Sequence, residues 1–203
     1  MRRKSIRKGI LTVLAALCLL DGVSGSAQAG DSTAAVHSTT VLIYLCGGDL
    51  ESRFGAATRD IREMAASGFD ASAVNLLIMA GGTESRSIGT DAGQAAMIEI
   101  GEHGMRRLRQ SGEETNMADG ETLKAFLDYR YAHYPAERFV LILWGHGSPT
   151  EGLCPDGLSG GDTLTPEEIH AALSGSFPAG EKLYWIGFDA CMMATLETAW
   201  SVA

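Results

Sequence analysis

Two apolar stretches of this chain end in residues whose side chains do chemistry. The segment FVLILWGHGSP, residues 139–149, closes on a histidine held between two glycines, His146. The segment LYWIGFDACMM, residues 183–193, closes on a cysteine, Cys191. A thiol attacks well only as thiolate, and an ordinary cysteine is mostly protonated at neutral pH. An adjacent imidazole can hold or accept that proton. Cys191 is expected at a strand-to-helix junction, where the helix N-terminus favours negative charge. Gly147 lacks a side chain and leaves its backbone N–H free to face a developing oxyanion, with the N–H of Cys191 as a second donor. Nucleophile, base and oxyanion donors together describe acyl transfer, most simply amide-bond hydrolysis.

Plainer readings exist for each residue. A cysteine after an apolar strand is commonly a small core residue, and a loop histidine is commonly just solvated. The pairing of Gly-His-Gly with Asp-Ala-Cys at two strand ends outweighs both. A metal site built from Cys46, His146, Asp189 and Cys191 lacks any paired C-x-x-C or H-x-x-x-H spacing. Asp189 precedes Cys191 by two positions and so shares its side of an extended strand. A carboxylate there would pair with a basic substrate side chain. Its alternative is a carboxylate satisfied by local backbone donors, and the sequence leaves the two equally weighted.

The elements that must position these residues follow from the hydrophobic pattern. Residues 40–48 (TVLIYLCGG) and 73–82 (AVNLLIMAGG) are continuous apolar runs closed by glycines, as expected of strands buried on both faces. Between them, Phe54, Ala57, Ile61, Met64 and Ala65 recur at helical spacing over residues 51–67, with Gly68 as C-cap. Residues 95–112 predict a β-hairpin turning near Gly101 to Gly104. Asp119 caps a helix whose Leu123, Phe126, Leu127, Tyr131 and Tyr134 line one face and which Pro135 ends. After the strand FVLILW and a glycine-rich loop over residues 145–161, Thr165 caps a short helix opened by Pro166. KLYWIGF is the fourth apolar strand, and MMATLETAWSVA begins another helix. This order predicts an α/β fold with a mainly parallel sheet. Right-handed crossovers then place the strand C-termini along one rim, where open α/β sheets put their sites. His146 and Cys191, 45 positions apart, are expected to end neighbouring strands.

The first 29 residues resemble a secretory signal peptide. Arg2, Arg3, Lys4, Arg7 and Lys8 precede an apolar run from Ile10 to Leu20, and Ala27-Gln28-Ala29 fits the A-x-A cleavage pattern. The run is short for a bilayer span, which needs about 20 apolar residues, so no stable membrane span is expected after its removal. Leu17 before Cys18 argues against a lipoprotein, and Arg2-Arg3 alone does not make a twin-arginine signal. Export, to the medium or the periplasm and cell envelope, is the expected address. The full chain of 203 residues carries a net charge of −9, more negative without its leader, so nucleic acid is not an expected partner. The cluster Arg106, Arg107 and Arg109 is expected on a solvated strand or turn. Residues 30–39 are expected to be a polar, disordered lead-in. Cys46, Cys154 and Cys191 remain after processing, an odd number that leaves at least one thiol free or paired between chains.

Three blocks, VLIYLCGGDLES, NMADGETLKAFLDYRYAHYPAERFVLILWGHG and WIGFDACMMATLE, resemble the clostripain family of secreted bacterial cysteine peptidases, in the caspase-like clan with gingipain and legumain. The stretch GGDTLTPEEI is also similar to the family's lead into the helix between the catalytic strands. The resemblance implies a caspase-like three-layer αβα sandwich, a His146/Cys191 dyad and cleavage after Arg or Lys, with Asp189 at the family position tied to the basic-residue pocket. Its partners would be proteins or peptides containing Arg or Lys. No cofactor is required for the chemistry, although some relatives need calcium; Asp49, Glu51 and Asp162 are the candidate ligands here. Family members are considerably longer, and this chain stops twelve residues after Cys191. Residues 40–203 are therefore expected to be the N-terminal part of a truncated peptidase domain, with further strands beyond Ala203. Family members are often activated by cleavage after a basic residue between the dyad partners. Here residues 147–181 contain no Lys or Arg, and Lys182 opens a predicted strand, so self-processing there is not expected. Cys46 stands where the family more often has a polar residue such as Asn, and is a candidate to pair with Cys154 in an oxidising compartment. Two alternatives keep the same fold: a catalytically inactive binding module, and a cysteine transamidase using the same dyad.

Overall fold

A computed structural model of the protein describes residues 37–87, 90–148, 150–177 and 180–202. The expected signal peptide and most of the expected lead-in lie outside these. Strand β1 (His37–Cys46) starts inside the expected lead-in. It pairs in parallel with β2 (Val74–Gly81) on one side and β5 (Ala136–Gly145) on the other. Beyond β2 the hairpin β3 (Ala96–Gly101) and β4 (Gly104–Gln110) continues the sheet antiparallel. Beyond β5, β9 (Trp185–Ala190) adds in parallel and is the last strand on this side among the described residues. The sheet order is β4-β3-β2-β1-β5-β9.

The continuous apolar runs are explained by layers on both faces. Alternate residues of β1 point opposite ways. Leu42 and Tyr44 join Leu77, Met79, Leu141 and Leu143 in one core, against Leu123, Phe126 and Leu127 of α3 (Gly120–His133) and Ile169 and Ala172 of α4 (Pro166–Ser176). Ile43 and Leu45 join Ile78 and Trp144 in the other, against Ala57 and Ile61 of α2 (Ala56–Ala66). The result is an αβα sandwich. Among the described residues no helix is long and apolar enough to cross a membrane.

Both sequence-legible caps are present. The Asp119 carboxylate accepts from the Glu121 N–H at 2.8 Å. Thr165 and Glu168 form a reciprocal capping box with Pro166 at the first turn. The C-cap of α2 is Ser67 rather than Gly68, which follows it at φ +68°.

Several expectations are corrected. The single helix over residues 51–67 is two, α1 (Gly48–Phe54) and α2, because Gly55 at φ +61° turns the chain between them. Phe54 is consequently exposed, and the buried Glu51 bridges the break by accepting from the Thr58 N–H at 2.9 Å and from its hydroxyl. In α3, Tyr131 faces solvent and Arg130 is buried instead. The Arg130 guanidinium lies between the rings of Phe139 and Phe177, at 4.0 and 4.2 Å, and donates to the Leu127 and Ser176 carbonyls. Stacking on two rings lets a long cationic side chain enter a core. The expected loop over residues 145–161 contains strands β6 (Gly147–Ser148) and β7 (Gly152–Asp156), which with β8 (Asp162–Leu164) make a small antiparallel sheet. Lys182 lies in an exposed segment ahead of β9 rather than in the strand, so the reason given against cleavage there does not hold. Arg106 pairs with Glu99, Arg107 donates to Gln110, and Arg109 sits over the Tyr129 ring, all on the hairpin edge.

Candidate active site

The β5–β9 register decides where the two chemical residues go. Its last pair is Gly145 with Ala190, so His146 and Cys191 are the next residues off two hydrogen-bonded parallel strands. Both are exposed on the C-terminal rim of the sheet. Cys191 is therefore not a core cysteine. The two turns touch: a Cβ placed on Gly147 would lie 2.6 Å from the Cys191 carbonyl oxygen, 2.8 Å from Met193 Cγ and 3.0 Å from Ala190 Cβ. Gly147 thus does more than leave its N–H free, because only glycine lets the Cys191 turn approach this closely.

The turn that presents Cys191 differs from the expected strand-to-helix junction. Met192 takes a left-handed φ of +57°, and Met193 is buried in the core. Helix α5 (Leu196–Ser201) starts only after its cap Thr195, whose side chain accepts from the Thr198 N–H at 3.1 Å. A helix-end field fades within the first turn, so Cys191 does not sit at this helix's N-terminus. A left-handed non-glycine residue stores strain and is found where surroundings over-determine the backbone. Here Met193 supplies the anchor.

Asp189 is exposed, pairs across the sheet with Trp144, and has no hydrogen-bond or ion-pair partner among the described residues. The alternative of a carboxylate satisfied by backbone donors is not what this structure has. Alongside it, Trp185 to Phe188, Ala190 and Met192 to Thr195 line a groove of about 450 Å³.

One residue that the sequence reading named only as a calcium candidate proves to be a partner of His146. Asp49, in the first turn of α1, lies 2.7 Å from His146 Nε2 through its Oδ1. The hydrogen bond from the ring holds the Asp49 carboxyl below the usual carboxylate range, with Arg53 contributing. A signal was available: β1 and β5 are neighbours, so whatever follows Gly47-Gly48 shares the rim with His146.

This pairing bears on calcium. Of the three candidate ligands, Asp49 is engaged with His146, Glu51 with Thr58, and Asp162 accepts from Asn116 Nδ2 at 2.8 Å. Among the described residues no three His, Cys, Asp or Glu side chains converge as a metal site. The three named carboxylates are thus not gathered as a calcium site among the described residues.

Cys46 and Cys154 do lie together, buried behind Gly145, and both are free thiols in this structure. Burial pushes the Cys46 thiol well above its ordinary value, and its hydrogen bond with Cys154 raises it further. Iodoacetamide at pH 8 should therefore label Cys191 but neither Cys46 nor Cys154 in the native protein, and all three of these thiols after unfolding. Peptide mapping by mass spectrometry reads this directly, and native labelling of Cys46 at a comparable rate would contradict its burial.

An α/β sandwich presenting an exposed thiol and an imidazole from adjacent strand ends has the architecture of the caspase-like cysteine peptidases. Residues 43–203 match the Clostripain family (peptidase C11), and the chain belongs to it. It is 26% identical over 193 residues to clostripain of Hathewaya histolytica, an alignment covering 81% of this chain and 36% of that protein. Its fold is similar to a secreted C11 cysteine protease from Bacteroides thetaiotaomicron, solved with an irreversible peptide inhibitor. The TM-score there is 0.63 at 22% identity, over 82% of this chain and 46% of the other. An inactive zymogen C11 protease from Parabacteroides distasonis gives 0.58 at 24%, over the same shares. The chain thus spans less than half the length of each of these relatives.

Proposed function

We propose that this chain carries the reacting residues of an exported cysteine endopeptidase that cleaves after Arg or Lys. The observation that supports this most is the β5–β9 register, which delivers His146 and Cys191 to one rim. Cys191 Sγ attacks the scissile carbonyl as His146 takes its proton, and a C–S bond forms. The oxyanion faces the N–H groups of Gly147 and Cys191. The Cys154 N–H bonds the His146 carbonyl at 3.0 Å, which makes Gly147 and Leu153 a pair whose own N–H groups point away from each other. That leaves the Gly147 N–H outside the β6–β7 ladder. Collapse expels the amine, protonated by His146, and water hydrolyses the thioester. The steps use protein groups and water alone.

Asp189 supports the basic preference, since an exposed carboxylate without a partner beside the nucleophile suits a cationic side chain. The leader sequence supports export, as does the secreted relative. The test is a panel of peptides that differ only at the residue before the scissile bond. Arg and Lys peptides should be hydrolysed over Ala and Glu peptides. Asp189→Ala should cost the basic substrates about 30-fold in kcat/KM, as truncating one partner of a charge pair does, and leave the Ala peptide unchanged. No turnover of any peptide would overturn the peptidase reading in favour of a silent binding module. Preferential transfer to added hydroxylamine would make the protein a transamidase.

A further inference from the structure

We propose that Asp49 is a positioning residue for this chemistry, gripping His146 through Nε2 so that Nδ1 is the nitrogen that exchanges the proton with Cys191. The inference rests on the reading of His146 and Cys191 as the reacting pair and adds a third, carboxylate member. With Nε2 bonded to Asp49 Oδ1 at 2.7 Å, the neutral ring donates its Nε2–H to the carboxylate. A histidine's tautomer is set by the hydrogen bond its other nitrogen makes. When the ring takes the thiol proton, the same carboxylate faces the new positive charge and favours it.

Asp49 is built into place rather than loosely tethered. The Gly47 and Gly48 N–H groups bond the Gly81 and Gly82 carbonyls at 2.8 and 3.0 Å, extending the β1–β2 ladder past the strands. A Cβ on Gly47 would meet Thr83 Cγ2 at 2.6 Å and Glu51 Cβ at 2.8 Å, so this turn is packed tightly. Gly48, at φ +48°, then directs the chain into α1. Arg53, one turn on, sits 3.9 Å from the other Asp49 oxygen. The ionisable groups on the elements next to the ring are Asp49, which bonds it, and Arg53 from α1, Asp189 and Cys191 from β9 and its turn, and Cys154 from β7, whose N–H holds the His146 carbonyl.

A structural role is a poor account of this pair. Its side chains are 46% and 44% exposed, and exposed ion pairs contribute little to stability. The sign of its pH dependence follows from the lowered Asp49 carboxyl: the interaction is present through the neutral range and is lost as pH falls through the folded-state value.

The test is the pH profile of Cys191 alkylation by iodoacetamide in the full chain, for wild type, Asp49→Asn and Asp49→Glu. Asp49→Asn keeps an acceptor and removes the charge. Its acid limb should move up by about one pH unit, with the rate at pH 6 down about tenfold. Asp49→Glu should recover part of the loss, and thermal midpoints should match wild type. An unshifted Asp49→Asn profile overturns the inference while leaving the dyad intact. A wild-type Cys191 that alkylates only as an ordinary thiol instead overturns the underlying reading. Nitrogen-15 NMR of wild-type His146 needs no variant: the neutral ring should carry its proton on Nε2, and a predominant Nδ1–H form would also overturn the inference.

Discussion

Alanine in place of Cys191 should abolish hydrolysis of basic-residue peptides, and alanine in place of His146 should cost nearly as much. The double variant should be no slower than the worse single one. In this scheme the sulfur needs the ring to surrender its proton, and the ring has no other task at the bond. Groups that act as one unit lose their joint contribution when either is removed, so their effects do not add. The expected loss is at least about 10³-fold in kcat, the scale seen when a covalent nucleophile is deleted. Stability should change little, because both side chains are exposed and neither fills core volume. Initial rates on an Arg peptide, read with thermal midpoints, provide the check. Undiminished hydrolysis by Cys191→Ala removes that cysteine from the mechanism. Effects that multiply in the double variant would mean that the two residues act independently, which their adjacent strand ends argue against.

The parts of this fold that were legible share one physical property: their signal is local. Strands β1, β2 and β5 announce themselves because burial on both faces demands uninterrupted apolar residues. Thr165 and Asp119 announce helix starts because a cap satisfies N–H groups two or three residues away. The β3–β4 hairpin turned where its glycines said it would. What stayed hidden depends on partners distant in sequence. Gly55 breaks a helix whose apolar spacing runs straight through it. Strands of two and three residues, such as β6 and β8, are too short to carry a period. Arg130 is buried because Phe139 and Phe177 supply ring faces from other elements. At the site, the meeting of His146 and Cys191 could be inferred from topology, since parallel strands must end together. The Asp49 carboxylate lies 97 positions from the ring it grips, and its own sequence neighbourhood suggests only a helix start or a cation ligand.

The same distinction makes Gly147 the sharpest place to test how the rim is assembled. Gly147→Ala should lower kcat/KM on an Arg peptide by about 10²-fold, the cost of misplacing reacting groups by about 1 Å. The added methyl would meet a backbone oxygen, that of Cys191, at 2.6 Å, together with Met193, which is only 2% exposed. A flexible side chain could swing aside, but a carbonyl in a left-handed turn anchored by a buried methionine cannot. The two strand ends must therefore separate, moving sulfur away from imidazole. Gly147 itself does not require a left-handed backbone, so the effect is steric rather than conformational. The stability cost should be about 1–3 kcal/mol, typical of one methyl too many in a packed contact. Gly112→Ala, where nothing lies within 4 Å of the new Cβ, should behave as wild type in both assays. Wild-type activity in Gly147→Ala would mean that the Cys191 turn is not held by this contact, and that the closeness of the two reacting groups is set by the strand register alone.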